Sequence, residues 1–156
     1  MISSTFKTVL LNTLDADAGG RVATWGILGL RAGAGLLIFY IHGWHKLEGG
    51  LAYLQHGTPW RLVEEVAGMH FPAPLASAFA ATAAQFILAP LLAAGLFTRV
   101  SAAILTTVLT VAILQNILAG RDPQLAVLYT LVVAAFVLIG GGRLSIDARL
   151  AARAHR

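Results

Sequence analysis

The stretch WGILGLRAGAGLLIFYIHGWHK, residues 25–46, decides the fold of this chain. It is apolar for most of its length, keeps Arg31 inside the apolar run, and ends in two histidines and a lysine. A helix needs about 20 apolar residues to cross the hydrocarbon core of a bilayer. Three further stretches are also long and apolar enough to cross. We therefore predict an all-α protein, a four-helix transmembrane bundle with a short interfacial helix in the first loop.

The composition favours the same class of protein. Of the 156 residues, 58% are hydrophobic and 12% are charged, whereas a soluble domain carries about 25% charged residues. The net charge of +4 is not gathered into a basic tract interleaved with aromatic residues, so we expect no nucleic-acid partner. The absence of cysteine excludes disulfides, thiol redox chemistry and cysteine-ligated iron–sulfur clusters.

Hydropathy divides the chain into three parts. We predict an N-terminal interfacial segment over 1–20, a four-span membrane domain over 21–142 and a basic cytoplasmic tail over 143–156. The predicted spans are residues 22–41, 75–97, 100–118 and 124–139. The first 20 residues lack the apolar core of a cleaved signal peptide, so we expect the first span to target the chain to the membrane.

Turn and capping residues mark the connections between these spans. Thr58 and Pro59 predict the start of the interfacial helix as its N-cap and first-turn residue. Pro90 predicts a kink in the second span, because proline removes one backbone hydrogen bond. Asp122 is a predicted N-cap for the fourth span, and Ser145 is a candidate N-cap after the glycine run at 140–142.

The basic residues predict the orientation in the membrane, because lysine and arginine accumulate in cytoplasmic loops. The side that holds both termini carries seven of them, Lys7, Arg21, Arg99, Arg143, Arg149, Arg153 and Arg156. The other side carries Lys46, Arg61 and Arg121. We predict a multi-pass protein of the bacterial cytoplasmic (inner) membrane with both termini in the cytoplasm. Arg99 would anchor the hairpin between the second and third spans.

The first span has a polar seam on one helical face, made by Arg31, Gly35, His42 and Lys46, with His45 at its edge. Tyr40 and Trp44 point roughly opposite on the same wheel. Small residues such as Gly33 and Gly35 let a second helix approach closely. We therefore expect the seam to face the bundle interior and to line a cavity.

Arg31 lies about 16 Å along the helix axis from His42, which predicts a position near the bilayer centre. A charged arginine there costs about 2.5–3.5 kcal/mol on insertion scales. None of the seven acidic residues falls within a predicted span. Two interpretations remain open. Arg31 could be structural, bonded to Gln85 or to backbone carbonyls, or it could hold a ligand with electron-rich oxygens.

His42 and His45 lie three residues apart and could point into one site. Their spacing falls short of the known metal-binding patterns, so we predict no metal ligand and do not expect haem. A proton-handling role suits His42, because an unperturbed imidazole titrates near pH 6.5. Interfacial hydrogen bonding is the alternative, with snorkelling for Lys46. Glu48 and Asp122 fall on the same side and could pair with Lys46 or His42.

Three fragments together resemble the DoxX family of small bacterial membrane proteins. They are LRAGAGLLIFYIHGWHKL at 30–47, FPAPLASAFAATAAQFILAPLLAAGLFTRVSAAIL at 71–105 and GGGRLSIDARL at 140–150. The resemblance covers roughly residues 25–150 and implies four transmembrane helices and an association with membrane redox systems. The related DoxD protein is a subunit of a thiosulfate:quinone oxidoreductase. The resemblance highlights Arg31, His42, Gly43, Lys46, Gly95, Arg99 and Asp147.

Two main functional hypotheses follow. In the first, the chain is a membrane subunit of a redox complex that interacts with quinone, and electrons come from a partner oxidoreductase. Its ligand pocket would contain Arg31, His42, His45, Lys46 and Gln85. The resemblance implies a glutamate where this chain has Gln85, and the absence of that acid favours a binding or scaffold role over catalysis. In the second, the chain is a non-catalytic anchor or assembly subunit. Expected partners are membrane lipid and another redox subunit or further copies of the chain. A transporter, the third possibility, would need an oligomer.

Overall fold

The structure, a computed structural model, describes residues 16–154, with side chains from Gly20 onward. All regular elements in that range are helices. Most of the predicted interfacial segment 1–20 lies outside the described residues. Three helices are long and apolar enough to span a membrane, and a fourth apolar helix of 10–17 residues accompanies them. The prediction of an all-α transmembrane bundle is confirmed.

Eight α-helices and two π-helical segments follow one another along the described chain. In order they are α1 (Ala16–Leu37), the first π segment (Ile38–Trp44), α2 (His45–His56), α3 (Arg61–Gly68), α4 (Pro74–Ala83), the second π segment (Ala84–Leu88), α5 (Ala89–Ala94), α6 (Thr98–Leu118), α7 (Gln124–Ile139) and α8 (Ile146–Ala154). α1, the first π segment and α2 form one continuous helix, and α4, the second π segment and α5 form another.

The first helix is longer than the predicted span, which ends at residue 41. Helical structure continues to His56 and stops where Gly57 adopts a positive φ of 64°. Polar side chains end an apolar run, but backbone hydrogen bonds continue regardless of side-chain polarity. Near the predicted end of the span, the helix does not stop but changes to π-helical geometry over Ile38–Trp44, where i→i+5 hydrogen bonds widen the turn. A wheel drawn at 100° per residue therefore loses its phase between residues 38 and 44.

The second span contains a π segment immediately before Pro90, which lies in the first turn of α5. Proline has no N–H to donate to the preceding turn, and the missing hydrogen bond is accommodated by the wider turn of the π segment. The two π segments pack against each other. Gly43 permits this contact, because a Cβ there would lie 3.0 Å from the carbonyl oxygen of Gln85.

α6 and α7 form an antiparallel hairpin that supplies much of the core. The buried core residues are Ile38, Ala89, Leu92, Ala102, Leu105, Leu109, Tyr129, Val133 and Phe136. The predicted N-cap of α7, Asp122, lies one residue before the observed N-cap, Pro123, but its Oδ1 still accepts a hydrogen bond from the N–H of Gln124 at 2.8 Å.

The predicted helix in the first loop is present as α3, but it begins at Arg61, later than Thr58 and Pro59 indicate. Trp60 precedes it and is buried against α2, where a Cβ at Gly49 would lie 2.7 Å from the indole Nε1. The Trp60 ring also meets Phe79 of α4 edge-on at 4.9 Å. Trp60 is the N-cap residue with an extended backbone, so the helix starts after it, and its buried indole docks α3 on α2 and α4.

The predicted tail 143–156 forms a helix over most of its described length. Ser145 caps α8 as predicted, since its Oγ accepts a hydrogen bond from the N–H of Ala148 at 3.1 Å. The N–H of Asp147 donates to the carbonyl of Gly95 at 2.9 Å. α8 is thereby attached to the turn between α5 and α6.

Candidate functional site

A polar cavity of about 270 Å³ lies among the first helix, the second π segment, α6 and α7, with α3 forming one wall. Its polar lining includes His42, Lys46, Glu65, Gln85, Gln115 and Tyr129. We call this space the polar cavity. Three of the predicted ligand-binding residues, His42, Lys46 and Gln85, thus meet around one space.

The two π segments supply His42 and Gln85 to the polar cavity. The ring of His42 is edge-on to that of Tyr129, with centroids 5.7 Å apart. Gln85 is 1% exposed, and its Oε1 has no hydrogen-bond partner among the described residues. A buried acceptor left without a partner costs about 1–3 kcal/mol. This amide oxygen is an unused acceptor beside the polar cavity, with almost no surface exposed to solvent.

Lys46 lies on α2 next to this cavity and takes no part in the ion pairs found among the described residues. Those pairs are His45–Glu48, Arg61–Glu65 and Arg121–Glu65. The pairing of Lys46 or His42 with Glu48 or Asp122, which the sequence left open, is not among these pairs. Glu48 instead accepts a hydrogen bond from the indole of Trp44 at 2.9 Å. The ammonium group of Lys46 is left for another acceptor.

Glu65 of α3 closes the polar cavity on the side of the loops. Its carboxylate accepts a hydrogen bond from Arg121 Nη1 at 2.7 Å, one from Arg61 Nε at 3.0 Å and one from the amide of Gln115. Arg121 also donates to Asn116 Oδ1 at 3.2 Å. These bonds tie α3 to the end of α6, so the wall is held in place by charge-assisted hydrogen bonds.

An apolar groove of about 200 Å³ adjoins the polar cavity between α3, α4 and α6. The two spaces share Lys46, Leu62, Ala112 and Gln115 as wall residues. The rest of the groove is lined mainly by apolar side chains, among them Val66, Phe71, Val108 and Val111. A polar space and an apolar groove thus meet at Lys46.

His45 does not line the polar cavity. Its side chain is 87% exposed and lies 3.9 Å from Glu48, in a separate pocket of about 340 Å³ on the other side of Lys46. The change of helical phase in the first π segment separates His45 from His42. The two imidazoles therefore face different spaces, although they are only three residues apart.

Arg31 also lies away from the polar cavity, contrary to the single pocket expected from the wheel. It is 1% exposed, its Nη1 reaches the carbonyl of Leu92 at 3.5 Å, and its guanidinium packs against Gly95. Gly95 belongs to the turn that ends the second span. Arg31 therefore lies at the end of the bundle near α8 and not at its centre. The first helix begins to pack on the second span near this residue, beside the turn at Gly95.

Asp147 is the acidic neighbour of Arg31, supplied from outside the spans. Its carboxylate accepts hydrogen bonds from the N–H of Phe97, the N–H of Thr98 and the Thr98 hydroxyl, each at 2.8 Å. Burial by itself would raise the pKa of the Asp147 carboxyl. The hydrogen bonds from Thr98 and Phe97, together with the charge of Arg31, lower that pKa overall.

A protein-family model for DoxX matches residues 26–120, more than half of the chain. The chain belongs to the DoxX family. No curated protein and no solved structure matches it. The matched range holds His42, Lys46, Glu65 and Gln85, whereas Tyr129 and α8 lie beyond it.

The remaining predicted anchors of this DoxX-family chain have structural contacts. Gly35 packs against the backbone of α5, where a Cβ would lie 2.6 Å from the carbonyl oxygen of Ala89. Arg99 Nη2 donates to the carbonyl of Leu138 at 3.2 Å, which joins the start of α6 to the end of α7.

Sequence reasoning missed Glu65, the carboxylate that organises one wall of this DoxX-family cavity. A signal was present, because Leu62, Glu65 and Val66 share one face of a short amphipathic helix. An acid between two core positions of such a helix requires a partner. The partners come from the distant segment 115–121, which no local pattern reveals.

We expect the free energy of unfolding of this DoxX-family chain to fall on acidification because of Asp147. Its folded pKa lies below its unfolded value of about 3.9, so its stabilisation is present above that pH and is lost as pH falls through the folded pKa. Asp147→Asn should cost about 1.5–3 kcal/mol at pH 7 and flatten this dependence. Thermal unfolding in detergent, followed by circular dichroism from pH 6 to pH 2.5, measures both. Equal pH slopes in the two proteins would contradict the assignment.

Proposed function

We propose that this DoxX-family chain is a membrane subunit of a redox complex and binds the headgroup of a lipid quinone in the polar cavity. We further propose the bacterial inner membrane as its location, with both termini in the cytoplasm. The observation that carries the proposal is the meeting of His42, Lys46 and Gln85 around one space that adjoins an apolar groove. An amphiphile with a small polar head and an apolar tail suits that arrangement.

The polar lining supports recognition of quinone oxygens. Quinone carbonyls accept hydrogen bonds, and the Lys46 ammonium, the Tyr129 hydroxyl and an imidazole N–H of His42 can donate them. A quinol hydroxyl donates instead, and the unpartnered Oε1 of Gln85 can accept it. A cavity with both donors and an acceptor can therefore bind the oxidised quinone and the reduced quinol.

The apolar groove supports binding of an isoprenoid tail. Its walls are formed mainly by aliphatic side chains of α3 and α6, with Phe71 beside them. Because the groove and the polar cavity share Lys46, a tail lying in the groove brings its headgroup next to the ammonium. Burial of the tail would stabilise the complex by about 25 cal/mol for each Å² of apolar surface removed from water.

Electron transfer to or from this ligand would require a partner subunit. The chain has no cysteine to ligate an iron–sulfur cluster. His42 and His45 face different spaces, so they do not form a pair of axial ligands for one haem. The proposed role of this chain is therefore to bind and orient the quinone, while the partner supplies the redox group.

The test is quinone content after purification from native membranes in mild detergent, measured by extraction and chromatography. We expect near-stoichiometric quinone with wild-type protein. Lys46→Gln should lower the affinity for an added short-chain ubiquinone about 10–100-fold, because hydrogen bonds to charged groups contribute about 1.5–3 kcal/mol. His45→Gln is the matched control, one residue away and outside the polar cavity, and should bind like wild type.

Tyr129→Phe is a second variant that preserves the shape of the core while removing one donor. We expect a smaller loss of affinity than in Lys46→Gln, about 2–10-fold for one neutral hydrogen bond. If purified wild-type protein holds no quinone and binds none when it is added, the proposal is wrong. A quinone-free chain that co-purifies stoichiometrically with another polypeptide would instead support the anchor or assembly role.

A further inference from the structure

α8 carries an exposed face that no other element of the described chain covers. We propose that this face, together with Arg99 and Arg143, binds the headgroups of anionic phospholipids at the membrane surface. The surface lies at the end of the bundle opposite the polar cavity, because Asp147 meets the start of α6 whereas Gln115 and Asn116 near its end line that cavity. It is therefore independent of quinone binding.

The bundle holds α8 in a defined orientation. Ser145 caps its first turn, the N–H of Asp147 donates to Gly95, and the Asp147 carboxylate holds the Phe97–Thr98 turn. Asp147 therefore marks the face of α8 that is turned toward the protein. At about 100° per residue, Ile146, Arg149, Leu150 and Arg153 fall within one arc of about 100° that excludes Asp147.

The four residues of that arc are all exposed. Ile146 is 37% exposed and Leu150 is 49% exposed, and Arg149 and Arg153 are also exposed. Two apolar side chains and two arginines, one turn apart in each pair, thus share the exposed face of α8. The apolar pair can enter the acyl boundary while the arginines extend their guanidinium groups to the phosphates.

The charge around α8 complements anionic lipid. Arg99 in the first turn of α6 and Arg143 on the connection before α8 are both exposed, and Arg99 is held by its hydrogen bond to the Leu138 carbonyl. Asp147 is the sole acidic residue in 95–99 and 140–154, and Thr98 and Phe97 engage its carboxylate. Guanidinium groups bind phosphate in a bidentate manner. Four arginines without a free carboxylate between them therefore favour anionic over zwitterionic headgroups.

The experiment is native mass spectrometry of the purified full chain, titrated separately with phosphatidylglycerol and with phosphatidylcholine. Each arginine near an anionic lipid surface contributes about fivefold in affinity. We expect Arg149→Gln/Arg153→Gln to weaken phosphatidylglycerol binding about 25-fold, and to leave phosphatidylcholine binding unchanged. Raising the salt concentration should weaken phosphatidylglycerol binding by wild type more than by the double variant.

Two controls accompany this measurement. Arg61→Gln removes an exposed arginine from the other end of the bundle and should bind phosphatidylglycerol like wild type. Arg149→Lys/Arg153→Lys keeps both charges and should retain most of the affinity. Equal binding of the two lipids by wild type, or equal phosphatidylglycerol binding by wild type and the glutamine double variant, overturns the proposal. Circular dichroism of each variant verifies that the helices are intact.

Discussion

Gly95→Ala is expected to lower the free energy of unfolding by more than about 4 kcal/mol, a loss that few single substitutions reach. A Cβ at this position would overlap Nη1 of Arg31 and lie 2.7 Å from the Cβ of Ser145. The φ of Gly95 is 75°, which adds a backbone cost of about 1–2 kcal/mol for a residue with a side chain. The Arg31 side chain is 1% exposed, so a displaced guanidinium would have to push against other buried atoms.

Gly57→Ala separates the two contributions. Gly57 also has a positive φ, 64°, but a Cβ there would have no atom within 4 Å. It should therefore lose only the backbone contribution, about 1–2 kcal/mol. Thermal unfolding and monodispersity in detergent, compared at equal protein concentration, measure both variants. Similar losses in Gly57→Ala and Gly95→Ala would contradict the close packing of Arg31 on Gly95.

Gly35→Ala is expected to force the first helix away from α5. Its Cβ would lie 2.6 Å from the carbonyl oxygen of Ala89 and 2.8 Å from the backbone nitrogen and the Cβ of Ala93. Backbone atoms of a helix do not move aside as a flexible side chain does, so the two helices must separate. We expect a loss of about 3 kcal/mol, at the upper end of the range for overpacked cores.

Gly33→Ala, two residues away on the same helix, is the matched control. A Cβ at Gly33 would have no neighbour within 4 Å, so the substitution should be neutral or stabilise the helix by up to about 1 kcal/mol. Denaturant or thermal unfolding of the two variants in one detergent gives the comparison. A loss in Gly33→Ala as large as in Gly35→Ala would contradict the close approach of the first helix and α5 at Gly35.

The apolar helices can be predicted because their boundaries coincide with breaks in hydropathy. The predicted span 124–139 forms α7, and the helix Thr98–Leu118 begins within two residues of the predicted start. The end of the first helix is not predicted, because hydropathy marks where a segment leaves the lipid and not where its helix stops. The helix stops where the backbone conformation changes, at Gly57. Pro90 predicts a kink in the second span. The sequence alone does not reveal the π segment before it, which packs against the first π segment.

The candidate site is predictable only in part. His42, Lys46 and Gln85 stand out in the sequence as polar residues within or beside apolar segments, and they line one cavity. A helical wheel groups Arg31 with His42 and Lys46 on one face, but it ignores the distance of about 16 Å along the axis that separates Arg31 from His42. Arg31 therefore packs on Leu92 and Gly95 instead of lining the polar cavity. The proximity of Arg31 to Asp147 joins opposite ends of the chain, and such contacts follow from tertiary packing rather than from local spacing.

The packing of Arg31 against Gly95, with Asp147 nearby, has a consequence for biosynthesis. Translation proceeds at roughly 5–20 residues per second, so Arg31 emerges many seconds before its carboxylate neighbour is synthesised. Until then the nascent first helix holds an uncompensated cation near one edge of the bilayer, where a long side chain can still reach lipid phosphates. The surroundings of Arg31 are therefore complete only after residue 147 has been synthesised, and a chain terminated before that residue would lack the carboxylate neighbour of Arg31.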